Sequence, residues 1–154
     1  MDAVAFAPDP GLDVLRRRRA ELFESMGALR QALAAPTSGC LDAWSEWVDV
    51  ALVELSADVR AHIAITEGPG GLHTDVIDVA PRLSYAVERL VGEHVVIVDL
   101  INGLTCRARG AYTHSQVEDV RGLGTVLLGR LDRHRRRGAD LVFEAYETDL
   151  GGDG

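Results

Sequence analysis

At 154 residues, the chain has the length of one domain with a substantial core. It is 47% hydrophobic but only 5% aromatic, so alanine, leucine and valine must fill that core, which favours helices over a β-sandwich. The net charge of −8 argues against generic nucleic-acid binding. No uninterrupted apolar stretch reaches the ~18 residues that a membrane-spanning helix needs.

The start of the chain and its cysteines indicate the compartment. The first residues, MDAVAFAPDPG, lack the basic region and the long apolar region of a secretory signal. Cys40 and Cys106 are too few for a disulfide framework, and we interpret them as free thiols. Both features predict a cytoplasmic protein.

The first two helices follow from apolar spacing. Residues 1–10 contain Pro8 and Pro10 and are predicted to form a flexible lead-in. Helix one is predicted over 11–35, where apolar residues recur every three or four positions except at Arg19. Helix two carries an apolar stripe from Leu41 to His62 and ends at the Gly-Pro-Gly-Gly segment 68–71. A helical turn or two is expected over 72–79.

The second half of the chain predicts two more helices. Pro81 suits the first turn of helix three, whose apolar stripe runs from Leu83 to Leu104. Ser115 and Glu118 match a capping box, which predicts that helix four starts at Ser115. Residues 151–154 are predicted to form a frayed end. The fold expected over 11–150 is therefore all-α, an up-down-up-down four-helix bundle.

Three histidines stand where these stripes should carry apolar residues: His62, His94 and His134, here called the histidine triad. The midpoints of successive pairs, 78 and 114, fall at the predicted chain reversals, so the three imidazoles should share one level of the bundle. A lone core histidine is ordinarily a hydrogen-bonded packing residue. Three together disfavour protonation of one another and predict a metal site inside the bundle.

Carboxylates are expected to complete this site. Glu67 is the best candidate for a metal ligand, because it follows His62 closely and precedes the glycine-rich break. Glu93 is either an acceptor that orients an imidazole or an exposed charge. Asp140 and Glu144 are further candidate ligands, with solvated helix charge as the alternative. Two further histidines, His73 and His114, lie in connecting segments and are predicted to be surface residues.

Three segments resemble the hemerythrin-like, histidine–histidine–glutamate cation-binding family. They read HIAITEGPGGL, ERLVGEHVVIVDL and LDRHRRRGADLVFEAYETDLGG, and they are similar to that family's second, third and fourth helices. The resemblance covers roughly residues 12–150 and maps the histidine triad onto family ligands. It implies a four-helix bundle with a non-haem iron centre, usually two irons bridged by carboxylates. The implied activities are dioxygen or nitric oxide binding, peroxide handling, and iron sensing or storage.

The sequence also departs from that family. The family commonly has a carboxylate four or five residues after the ligand histidines of helices two and four. In helix two the fourth position holds Thr66, and only the fifth, Glu67, is acidic. In helix four those positions hold Gly138 and Ala139. Arg19 stands where helix one often supplies a histidine. Its guanidinium could point inward and pair with Glu67, or snorkel to the surface.

Three functions are therefore weighed. The leading hypothesis is a hemerythrin-like protein that holds mono- or dinuclear non-haem iron, or zinc, and binds or senses dioxygen, nitric oxide or peroxide. The first alternative is a metal-free helical interaction bundle with Arg19 occupying a relic metal site. The second is an enzyme that disproportionates peroxide. The arginine clusters Arg16–Arg19 and Arg133–Arg137 are either solvated helix faces or a surface for an acidic protein partner.

Overall fold

The computed structural model describes residues 10–111 and 113–147, and within these ranges the chain is helical without strands. The four long helices are α1 (Pro10–Ala34), α2 (Leu41–Glu67), α4 (Ser84–Arg109) and α5 (His114–Glu147). A short helix, α3 (Leu72–Val79), and a 3-10 turn (Pro81–Leu83) lie between α2 and α4. The predicted helices are confirmed. The predicted frayed end and all of the predicted lead-in except Pro10 lie outside the described residues.

The long helices pack into a bundle. Helix α1 packs on α2, α2 on α4, α4 on α5, and α5 back on α1. Helix α3 lies against α2, α4 and α5. In the described part of the chain, no helix has both the length and the apolar character required to cross a membrane.

The buried apolar residues form two clusters, and the histidine triad lies between them. The larger cluster fills most of the bundle and includes Val59, Ile97 and Leu131. The smaller one lies beneath α3 and includes Leu90 and Leu141. Along α4, His94 follows Leu90 and precedes Ile97. Along α5, His134 follows Leu131 and precedes Leu141. The imidazoles thus form a polar layer with apolar layers on both sides.

The start of α5 differs from the prediction. The backbone N–H of Gln116 donates to Thr113 Oγ1 at 3.2 Å, and the Thr113 N–H donates to Gln116 Oε1 at 3.0 Å. This is a reciprocal capping box, and α5 begins at His114. The prediction that Ser115 starts the helix was wrong, because Glu118 pairs with Arg121 at 2.8 Å instead of reaching back to Ser115.

Helices α1 and α5 approach closely at Gly124. A Cβ atom built there would lie 2.3 Å from Leu33 Cδ1, whereas one built at Gly122 would meet nothing within 4 Å. Leu33 is itself buried, so it can yield only by repacking.

We therefore expect Gly124→Ala to be less stable than Gly122→Ala by roughly 1–3 kcal/mol. Both changes gain the same helix propensity, so the difference isolates the contact with Leu33. Urea unfolding of the two variants measures it. Equal free energies of unfolding would contradict the close packing of α1 on α5.

Candidate metal centre

The histidine triad converges inside the bundle from three helices. His94 and His134 are each 3% exposed, and His62 is partly buried. The Nε2 atom of His134 lies 3.0 Å from Nε2 of His94 and 3.1 Å from Nε2 of His62. All three potential ligand atoms lie within 4.8 Å of one another. The prediction that the three imidazoles share one level is confirmed.

Two carboxylates hold the far side of two of these rings. Glu67 Oε2 lies 3.0 Å from Nδ1 of His94, and Glu93 Oε2 lies 2.7 Å from Nδ1 of His134. A carboxylate only accepts hydrogen bonds, so each Nδ1 must carry the proton. Of the two interpretations considered for Glu93, the structure shows the one in which it orients an imidazole.

This arrangement fixes which nitrogens are free. A neutral imidazole with its proton on Nδ1 presents a lone pair at Nε2. If both rings are neutral, the Nε2 atoms of His94 and His134 therefore face each other with lone pairs. At 3.0 Å these lone pairs repel unless a cation lies between them. Carboxylates bonded to the far nitrogen of an imidazole are the usual support of metal-ligating histidines.

Burial opposes protonation of His62 and His94. Desolvation, followed by the neighbouring imidazoles His134 and His94, lowers the pKa of His62 to about 3. Desolvation also lowers the pKa of His94, although Glu67 acts in the opposite direction. For Glu93, burial opposes ionisation, but hydrogen bonds from His134 and Arg137 outweigh it and lower the pKa. The site therefore places two imidazoles that resist protonation, those of His62 and His94, near a carboxylate, that of Glu93, whose ionised form is favoured.

The spacing of the donor atoms fits one metal ion. Nitrogen ligands 2.0–2.1 Å from a tetrahedral ion lie about 3.3 Å apart. The separations of His134 Nε2 from the other two Nε2 atoms, 3.0 and 3.1 Å, are close to that value, and the potential ligand atoms of His62 and His94 lie within 4.8 Å of each other. Three imidazoles leave at least one coordination position for another ligand, which is typical of reactive rather than structural sites.

A cavity of about 120 Å³, here called the triad cavity, adjoins the imidazoles. Its walls include His62 and His134 from the triad, Thr66 and His73. Because water occupies ~30 Å³ in the liquid, the cavity holds a few water molecules or one small ligand. An open coordination position on this side of the triad would be reached from the cavity.

Arg19 does not occupy the space between the imidazoles. Its side chain is exposed and lines the triad cavity, and Nε2 atoms 3.0–3.1 Å apart leave no room for a guanidinium. Among the described residues it forms no ion pair with Glu67, whose carboxylate contacts His94. The proposed relic site filled by Arg19 is therefore wrong, and the arginine snorkels to the surface.

His73 is buried, and the prediction that it lies on the surface was wrong. It is 7% exposed and stacks on His94, with ring centroids 6.0 Å apart and planes 8° apart. Its Nδ1 is buried without a hydrogen-bond partner. The signal available in the sequence was its spacing from Val76, which is fully buried one helical turn later on α3. His114 is exposed as predicted.

The other acidic candidates lie away from the triad. Asp140 and Glu144 are exposed and line a separate surface pocket with Glu93 and Arg137. The potential ligand group in the described chain contains the three histidines without a carboxylate. Cys40 and Cys106 are exposed free thiols.

Comparison of the chain with family models, curated proteins and solved structures found no match in any of the three. What the site does must therefore be argued from its own geometry.

We expect the metal-free protein to lose stability as the pH falls from 6.5 to 5. The pKa of His62 is about 3 in the folded chain, against an ordinary value of 6.5 for histidine, so in this window the unfolded chain takes up a proton that the folded chain does not. The free energy of unfolding should fall with pH, and the slope from this group should approach roughly 1.4 kcal/mol per pH unit near pH 5.

Urea unfolding of the wild type and of His62→Gln across this pH range measures the effect. The variant should show the shallower dependence on pH. Identical slopes would mean that His62 is not held neutral in the folded protein.

Proposed function

We propose that the protein is a hemerythrin-like metal-binding protein in which the histidine triad holds one divalent transition-metal ion, iron in the leading form and zinc as the alternative. The ion would bind or sense a small oxidant that enters through the triad cavity. The observation that carries the proposal is the pair of Nε2 lone pairs 3.0 Å apart, with both Nδ1 atoms on carboxylates. Imidazole suits zinc, copper, iron and nickel.

The ordinary alternative, a hydrogen-bonded network of core histidines, explains this geometry less well. Such a network needs a donor in every nitrogen–nitrogen contact. Here His134 Nε2 faces two imidazole nitrogens, while its ring proton is held at Nδ1 by Glu93. A neutral network would leave the contact between His94 and His134 without a donor, and burial lowers the pKa of His94, which disfavours adding a proton to that ring.

The geometry favours one ion rather than two. A di-iron centre of the resembled family needs bridging carboxylates, whereas Glu67 and Glu93 lie on the Nδ1 sides of the rings. That Glu67 binds the ion directly stays a prediction; in this geometry its carboxylate contacts His94. We propose that it acts by holding that imidazole in the orientation that presents Nε2.

The remaining residues position and insulate the site. We propose that the helices follow the up-down-up-down order, which brings His62, His94 and His134 to one level. Apolar layers above and below the triad exclude water and strengthen electrostatic interactions at the site. Thr66 donates its hydroxyl to the His62 carbonyl at 2.9 Å and so contributes no donor to the cavity in this position. When bound, the metal supplies open coordination positions for the small ligand.

Metal binding tests the proposal directly. We expect the purified chain to bind about one equivalent of Fe²⁺, Zn²⁺ or Co²⁺ after reconstitution, and His94→Ala to lose at least 100-fold in affinity. His114→Ala, which removes an exposed histidine, is the matched control and should bind as the wild type does. Competition with a chromophoric chelator measures all three proteins.

Two outcomes would contradict this proposal: binding below about a tenth of an equivalent for every metal, or equal affinity in His94→Ala and His114→Ala. Circular dichroism establishes that each variant is folded. Should His94→Ala not fold, His94→Leu fills the volume with an apolar side chain and serves the same purpose.

A second prediction concerns the carboxylates. Glu93→Gln should weaken metal binding by about 10–100-fold, because an amide is a poorer acceptor for the His134 Nδ1 proton. Glu88→Gln changes the charge of an exposed residue on the same helix and should leave the affinity within about twofold of the wild type. Isothermal titration calorimetry with Zn²⁺ compares the affinities of the two variants. An equal loss of affinity in both would contradict a specific role of Glu93 and indicate a general effect of charge.

A further inference from the structure

We propose that the triad cavity is built to admit a small monovalent anion, which makes an anion rather than a neutral molecule the preferred ligand of the metal centre. This inference rests on the metal site proposed above. It names the chemical class of the ligand, an anion of a few heavy atoms such as nitrite, azide or hydroperoxide.

The first argument is the charge of the cavity wall. Two arginines line the cavity from different helices, Arg19 on α1 and Arg135 on α5, here called the arginine pair. No carboxylate is among the described residues that line it. Five leucines line the cavity together with imidazoles and Thr66, so an anion inside would meet positive charge beside a partly apolar wall. Water screens part of the attraction of Arg19, whose side chain is exposed.

The second argument is that the arginine pair is not neutralised elsewhere. Within residues 10–111 and 113–147, neither arginine forms an ion pair with a carboxylate, although Arg18 pairs with Glu21 and Arg137 with Glu93. The Arg135 guanidinium instead lies over the ring of Phe23, 4.8 Å from its centroid. That cation–π contact joins α5 to α1, and it holds the guanidinium in place without neutralising its charge.

The third argument is the unpartnered imidazole of His73. Its Nδ1 is buried and has no hydrogen-bond partner. A buried N–H without an acceptor is rarer in proteins than a buried acceptor without a donor, which favours the tautomer with the proton on Nε2. His73 lines the cavity, and an anion that reaches its Nε2 would find a hydrogen-bond donor there.

The balance of charge around a bound ion points the same way. The carboxylates of Glu67 and Glu93, which contact the triad, balance a divalent cation. Arg137 contacts Glu93, and the arginine pair lines the cavity. The surroundings of a bound dication therefore remain positive, and an anion entering the cavity would offset this charge.

Azide titration of the Co²⁺-loaded protein tests the inference, with the visible cobalt spectrum as the readout. We expect Arg19→Gln and Arg135→Gln together to weaken azide binding about tenfold or more, the size of one or two lost charge-assisted contacts. His73→Leu should also weaken it. The matched control is Arg16→Gln with Arg136→Gln, which changes exposed arginines on the same two helices that do not line the cavity.

The control pair should bind azide within about twofold of the wild type at fixed ionic strength. Imidazole, a neutral ligand, should bind equally to all variants. Equal azide affinity in the two double variants, with cobalt bound in both, would overturn the anion inference and leave the metal site standing. Failure of the wild type to take up cobalt would overturn the metal site itself, and the anion inference with it.

Discussion

The structure depends on an electrostatic conflict at its centre. Two imidazole nitrogens, Nε2 of His94 and Nε2 of His134, face each other at 3.0 Å while carboxylates hold the ring protons on the other side. Neutral rings in this state repel, and burial lowers the pKa of His94, which opposes relief of the repulsion by protonation of that ring. A metal cation between the nitrogens resolves the conflict, which is why we interpret the triad as a binding site rather than as packing.

The rest of the bundle holds the three imidazoles in position. Apolar clusters above and below the histidine layer fix the register of three helices, and a shift of one residue along any of them would rotate its histidine by about 100°. The break at 68–71 matters for the same reason. Gly70 adopts φ 68°, and Gly71 has backbone oxygens 2.7 Å from where a Cβ would lie. That tight turn ends α2 at Glu67, whose carboxylate contacts His94. It also starts α3, which stacks the His73 ring on the His94 ring.

Apolar periodicity in the sequence was sufficient to predict the long helices and the shared level of the triad, because each histidine occupies a position in an apolar stripe. The partners of the imidazoles were harder to predict. Whether Glu93 reaches His134 depends on how α4 and α5 are rotated about their axes, which side-chain spacing within one helix does not encode. His73 was missed because α3 has only 8 residues, too few for a convincing period. Arg19 occupies a stripe position, yet its long side chain reaches solvent, an outcome that periodicity does not distinguish from burial.

X-ray absorption spectroscopy of the zinc- or iron-loaded protein tests the central claim most directly, because it reports the atoms bound to the ion. We expect imidazole nitrogens at about 2.0–2.1 Å, with the multiple-scattering signature of three rings and no second metal nearby. A spectrum dominated by oxygen ligands, or one that His94→Ala leaves unchanged, would contradict a metal ion held between the imidazoles.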